Sequence, residues 1–206
     1  MLRFLLALVV AVLVALGFVA VLHAQSSVQP AVWAIPDAPS ELKPAIATAD
    51  TIIVAQHSAL VRQLTRALAE GGASLAIKSC HLDATASANW IGRQRGWAVG
   101  RTSDRLRNPM NKPPAWAAPV VQREAGRPAT AVEGFVADLA DRIGVLRPIA
   151  MQPLCSACHG APDKISDAVR AELADRYPRD RAVGFRTGEI RGWYWAEVPK
   201  QTSGKK

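Results

Sequence analysis

Soft, metal-seeking side chains are scarce in this chain: three cysteines and four histidines in 206 residues. So few cysteines exclude a disulfide-stapled scaffold, and a chain of this length buries a core without staples. Basic runs are equally absent. The longest is the Lys205-Lys206 tail, and aromatics do not alternate with the scattered basic residues, although the formal net charge is +8. A nucleic-acid binder would carry a basic stripe and a recognisable binding module, so the excess charge reads as a solvated surface, or as attraction to an acidic partner or anionic membrane. There is no internal repeat and no low-complexity tract, and 50% hydrophobic with 20% charged residues excludes a disordered or fibrous chain.

The one long apolar run is at the start. After Met1-Leu2-Arg3, residues Phe4 to Leu22 run for 19 positions without a polar side chain, and Ala24 is a small residue before a cut. Residues 1–24 are therefore read as a secretory signal. The rival is a retained inner-membrane anchor through residues 4–22, since about 20 apolar residues span a bilayer. Both readings export the chain to the periplasm. Residues 25–43 are rich in Pro, Ser and Ala without a period and read as a linker.

From Pro44 to about Glu70 the residues Ile46, Ala49, Ile53, Leu60, Leu64 and Ala67 recur at helical spacing, and Gly71-Gly72 is a stop signal. His57 lies on that stripe, where a hydrogen-bonded core residue competes with a metal ligand. A second helix is predicted from Ser74 to about Ala86, with Cys80 on its apolar face and His81 towards its wetter edge. Strands are expected at Trp97–Val99, Ala131–Ala137, Ile143–Met151 and Glu189–Val198, with a third helix over Lys164–Arg176. Helices first and antiparallel strands afterwards define an α+β domain over residues 44–199, followed by a basic tail at 200–206.

Most of the chemistry sits in one motif. Cys155-Ser156-Ala157-Cys158-His159 has the C-x-x-C-H form of c-type haem attachment. Two cysteines three apart can form thioethers to the two vinyl groups along one haem edge, and the adjacent histidine can swing its imidazole under the plane to bind iron. A zinc site would need four N or S ligands, to which Cys80 and His81 add only an awkward pair. A redox disulfide would sit at the strand-to-helix junction of a βαβ unit. With Cys155 and Cys158 on the macrocycle, Cys80 is an odd thiol, either a small buried hydrophobe or the sixth iron ligand. His81, His57, Met110 and Met151 compete for that position. Haem carboxylates call for guanidinium partners. Arg101, Arg105, Arg107 and Arg147 are the candidates, with Arg101 and Arg107 foremost.

The ordered motifs resemble a family of exported c-type haem domains with a PAS-like fold, found alone or ahead of histidine kinases and chemoreceptors. The resemblance spans roughly Pro44 to Pro199. It rests on Ala76-Ile77 with Cys80, on Gly100-Arg101-Thr102-Ser103 leading to Leu106-Arg107-Asn108-Pro109 and Asn111, and on Leu146-Arg147-Pro148-Ile149. It continues through Cys155 to Gly160, Tyr177-Pro178 with Asp180 and Ala182, Gly184-Phe185, and Gly188-Glu189-Ile190-Arg191-Gly192. Where that family often places an acidic residue soon after a tryptophan, Trp116 is followed here by Ala117-Ala118-Pro119. The resemblance implies a PAS-like antiparallel sheet with flanking helices and a long N-terminal helix. It also implies one covalently attached haem c, His159 as proximal ligand and Cys80 as distal ligand. Small cytochromes c carry the motif near their start, whereas 154 residues precede Cys155 here, and the four-helix cytochromes lack strands. The expected role is electron transfer or redox and gas sensing, with an unknown redox or signalling partner and no nucleic acid. A haem enzyme such as a peroxidase or sulfur-compound oxidoreductase is the alternative, for which no acid–base group stands out.

Overall fold

The computed structural model describes the backbone of residues 29–200, and the side chains of 29–79 and 96–200. The segment read as a signal or anchor and the basic tail beyond Lys200 lie outside the described residues, as do the side chains of Cys80 and His81.

Five antiparallel strands form one sheet in the order β1-β3-β4-β5-β2. They are β1 (Val32–Ala34), β2 (Ala98–Thr102), β3 (Phe135–Asp138), β4 (Arg142–Ala150) and β5 (Ile190–Pro199). Strands β4 and β5 are the long central pair, running in register from Arg142 opposite Pro199 to Ile149 opposite Gly192. Their alternating pattern comes from two buried faces. Val145, Tyr194, Ala196 and Val198 point one way, and Leu146 and Trp193 the other.

Helix α1 (Lys43–Arg95) covers the first face. Leu42, Ala45, Ile46, Ala49, Ile52 and Ile53 pack on Val99, Val136, Ile143 and Val145. Full burial of each large aliphatic is worth about 1.5–3 kcal/mol, enough to fix the helix across the sheet. The helix breaks where the glycine pair stands: Gly71 leaves helical geometry (φ −152°, ψ 20°) and Gly72 has a positive φ of 62°, a conformation costly for any residue with a Cβ. Beyond the break the backbone resumes as helix through Arg95, longer than the expected end near Ala86. Among the described residues no helix is long and apolar enough to cross a membrane.

The short helix α2 (Ala118–Arg123) covers the second face with Val120 and Val121, beside Trp116 and Ala117. The missing acidic residue after Trp116 does not prevent it. Pro119 stands in the first turn, where a missing N–H costs nothing. Trp116 lies flat on Gly144, where a Cβ would come within 2.5 Å of its ring, and its indole N–H donates to Glu197 at 2.9 Å. The strand β1 falls inside the stretch read as a linker. It pairs through Trp33 opposite Val136, and at three residues it is too short to show alternation in the sequence.

Candidate functional site

The Cys155–His159 motif lies just past the end of β4. A tight turn over Pro153–Cys155 leads into α3 (Ser156–His159), a single helical turn closed by the Gly160 amide donating to Ser156 at 3.0 Å. Cys155 and Cys158 are two separate thiols, with no bridge between them. Cys155 touches the buried cluster of Met151, Ala182 and Phe185. Cys158 touches the cluster in which Ile77 meets Ile165, Val169, Leu173 and Tyr177. Val169 and Leu173 lie on α4 (Asp167–Arg176) and Ile165 and Tyr177 flank it; its N-terminus is capped by Ser166 accepting from the Val169 amide. The arm of α1 after the glycine break therefore docks beside Cys158 through Ile77, three residues before Cys80.

The extended segment 182–185 runs alongside the motif and orients His159. The Phe185 amide donates to His159 O at 3.0 Å, and Gly184 donates to Gly160 O at 2.7 Å. His159 Nδ1 is 2.8 Å from Ala182 O. A carbonyl can only accept, so Nδ1 carries the proton and Nε2 keeps the lone pair. This is the carbonyl-held tautomer that metal-binding histidines commonly use. Burial, then the Arg191 and Arg107 charges, hold the imidazolium well below its ordinary pKa of 6.5. The ring is neutral, with one nitrogen ready to donate electrons.

Arg107 acts as a strut. Its Nε donates to Asp180 Oδ2 at 2.9 Å, and its Nη2 donates to Cys158 O at 2.6 Å and Ala182 O at 3.3 Å. One side chain thus ties the loop after β2 to both the motif and the segment that orients His159. Arg101, on β2 opposite Tyr194, is half-buried, and its charge acts on both His159 and Arg191. The two lesser arginine candidates have carboxylate partners of their own. Arg105 pairs with Glu189 at 2.8 Å and lies over the Phe185 ring, whereas Arg147 grips Asp50 with two bonds of 2.7 and 2.6 Å and so fastens α1 to β4.

His57 hydrogen-bonds Tyr194 Oη at 3.0 Å, with the rings edge-to-face, and it sits at the exposed edge of the α1 stripe. Met151 is 1% exposed in the core, and Met110 is 78% exposed on the surface. Among the described residues no three His, Cys, Asp or Glu side chains converge as a zinc site would require.

Arg191 is the residue that the sequence reading passed over as a candidate. The β4–β5 register shifts between Ile149, opposite Gly192, and Ala150, opposite Ile190, so Arg191 is the extra residue of a bulge. Bulges turn a side chain out of the pleat, and this one brings Arg191 Nη2 to 3.3 Å from His159 Nε2. Its position within Gly188–Gly192 was visible in the sequence, but a bulge is fixed by pairing with a distant strand.

An antiparallel sheet flanked by a long helix, with a Cys-x-x-Cys-His turn at the end of its central pair, defines a PAS-like domain of the α+β class. The Tll0287-like family model matches residues 25–199, and the chain belongs to that family. Among solved structures it is similar to the crystal structure of the cyanobacterial heme-protein Tll0287. The identity is 25% and the TM-score 0.54, covering 75% of this chain and 96% of that one. No curated protein sequence matches.

Proposed function

We propose that this chain is an exported haem c protein of the periplasm, carrying one haem on Cys155 and Cys158, and that it works in electron transfer or in redox or gas sensing. The observation that carries the reading is His159: its Nδ1–H donates to Ala182 O, leaving Nε2 as a neutral donor one residue from Cys158. The donor set also fits. Two unbridged thiols, an imidazole with a fixed tautomer and a surplus of guanidinium charge suit a macrocycle with two carboxylates.

Haem supplies an iron that cycles between the ferric and ferrous states. The chain's own residues do the rest. Cys155 and Cys158 anchor the group, and His159 is held by the Ala182 carbonyl against rotation. Arg107 keeps the motif turn and segment 182–185 in fixed relation, and Arg101 brings positive charge to the site. Cys80 is the proposed distal ligand, three residues after Ile77, which packs in the cluster that Cys158 touches. The signal or anchor at residues 1–24 would place the domain outside the cytoplasm, where c-type haem is attached.

Optical spectra of ferric, ferrous and CO-treated protein separate the two roles. A ferrous spectrum that CO leaves unchanged marks an electron carrier with two firm ligands, whereas a CO-induced shift marks a sensor with a dissociable one. A protein without a haem spectrum contradicts both.

A further inference from the structure

Arg191 has more charge around it than partners. Its guanidinium carbon lies 4.7 Å from the centroid of Phe185, and its Nε is buried with no hydrogen-bond partner. Its Nη2 meets the lone pair of His159 Nε2 at 3.3 Å. The charges that act on it are Arg107 and Arg101, of the same sign, with Asp180 and Cys155 opposing. Asp180 is already engaged: Arg107 Nε takes one of its oxygens at 2.9 Å and the Ala182 amide the other at 2.7 Å. Arg107 thus takes that carboxylate, and among the described residues neither Arg101 nor Arg191 forms an ion pair. A cation held this way calls for an anion, because an unpaired buried charge is strongly destabilising.

Iron and the guanidinium cannot share the single lone pair of His159 Nε2. Resting on the haem reading above, we infer that Arg191 is a haem-carboxylate ligand: its guanidinium gives up His159 Nε2 to iron and, together with Arg101, pairs with the haem propionates. Two guanidiniums without an ion pair match two carboxylates, and the planar fork of Arg suits a bidentate contact. The bulge at Arg191 gives this side chain a place at the ligand nitrogen that regular strand pleating would not.

The test uses the haem-loaded wild type with Arg191→Gln, Arg191→Lys and, as a charge control on an exposed helical position, Arg66→Gln. Haem content is measured first. Wild type without haem overturns the haem reading itself, independently of Arg191. With haem present, resonance Raman reads the propionate bending and iron–histidine bands, and redox titration reads the midpoint potential. The inference predicts shifted propionate bands in Arg191→Gln and in Arg191→Lys, a lower potential in Arg191→Gln because a lost cation favours ferric iron, and wild-type behaviour in Arg66→Gln. If Arg191→Gln does not accumulate, the Arg191→Lys propionate bands decide alone. Unchanged propionate bands, or a change confined to the iron–histidine band, overturn the assignment and leave Arg191 as a residue that merely positions His159.

Discussion

His159 depends on residues far from it in sequence. Its tautomer comes from Ala182 O, and that carbonyl is held by Arg107, which also reaches Cys158 O and Asp180. The Arg107–Asp180 pair is only 14% and 12% exposed, so truncating Arg107 takes the donor from Asp180 Oδ2 and Cys158 O and leaves Ala182 O with His159 alone. Arg107→Leu should cost about 1.5–3 kcal/mol, the range for hydrogen bonds to charged groups. In a chain of this size that lowers Tm by roughly 5–10 °C, with Arg107→Lys recovering part of it. Thermal denaturation followed by circular dichroism checks this, and an unchanged Tm would remove Arg107 from its place as a strut. The need for an arginine near the motif was legible in the sequence. That Arg107 holds the backbone, while the bulge residue Arg191 meets the imidazole, was not, because both contacts depend on chain segments dozens of residues away.

The elements divide by whether their signal is local. Strands β4 and β5 show through their alternation, helix α1 through its stripe, and the break at Gly71-Gly72 through the glycine pair itself. Strand β1 does not show, because three residues next to Pro36 carry no period, and only pairing with β3 makes them a strand. Within α1, Gln56 takes a buried place that the stripe gave to no polar residue, while the more exposed His57 beside it reaches in to the Tyr194 hydroxyl. The break matters because it redirects the arm that carries Cys80. Ile77 on that arm packs with Tyr177 in the cluster that Cys158 touches, and Cys80 follows three residues later in the chain. Only a thiolate binds iron well, so a Cys80 ligand would have to give up its proton to the ferric charge. Reduction removes one positive charge and weakens that bond, so thiolate ligation favours ferric iron and lowers the potential relative to methionine. Electron paramagnetic resonance of the ferric protein should show a low-spin thiolate signature that Cys80→Ala abolishes. Identical spectra from the two proteins would transfer the distal position to His81 or His57.

At the scale of the whole molecule, the sheet has α1 on one face and α2 on the other, and the motif sits outside both layers at the end of the central strands. Attachment there leaves the two main cores intact, since the motif borders only the smaller clusters around Met151 and Ile77. The domain is thus built to fold around its own apolar layers and to present Cys155, Cys158 and His159 at one end. Covalent attachment of haem at that end is the central claim, and extraction with acidified acetone tests it most directly on protein produced with haem-attachment machinery. The account predicts that haem stays with the polypeptide in the wild type, and that replacing both Cys155 and Cys158 by Ala releases it to the solvent. Haem that washes out of the wild type, or a wild-type protein that carries none, would contradict it.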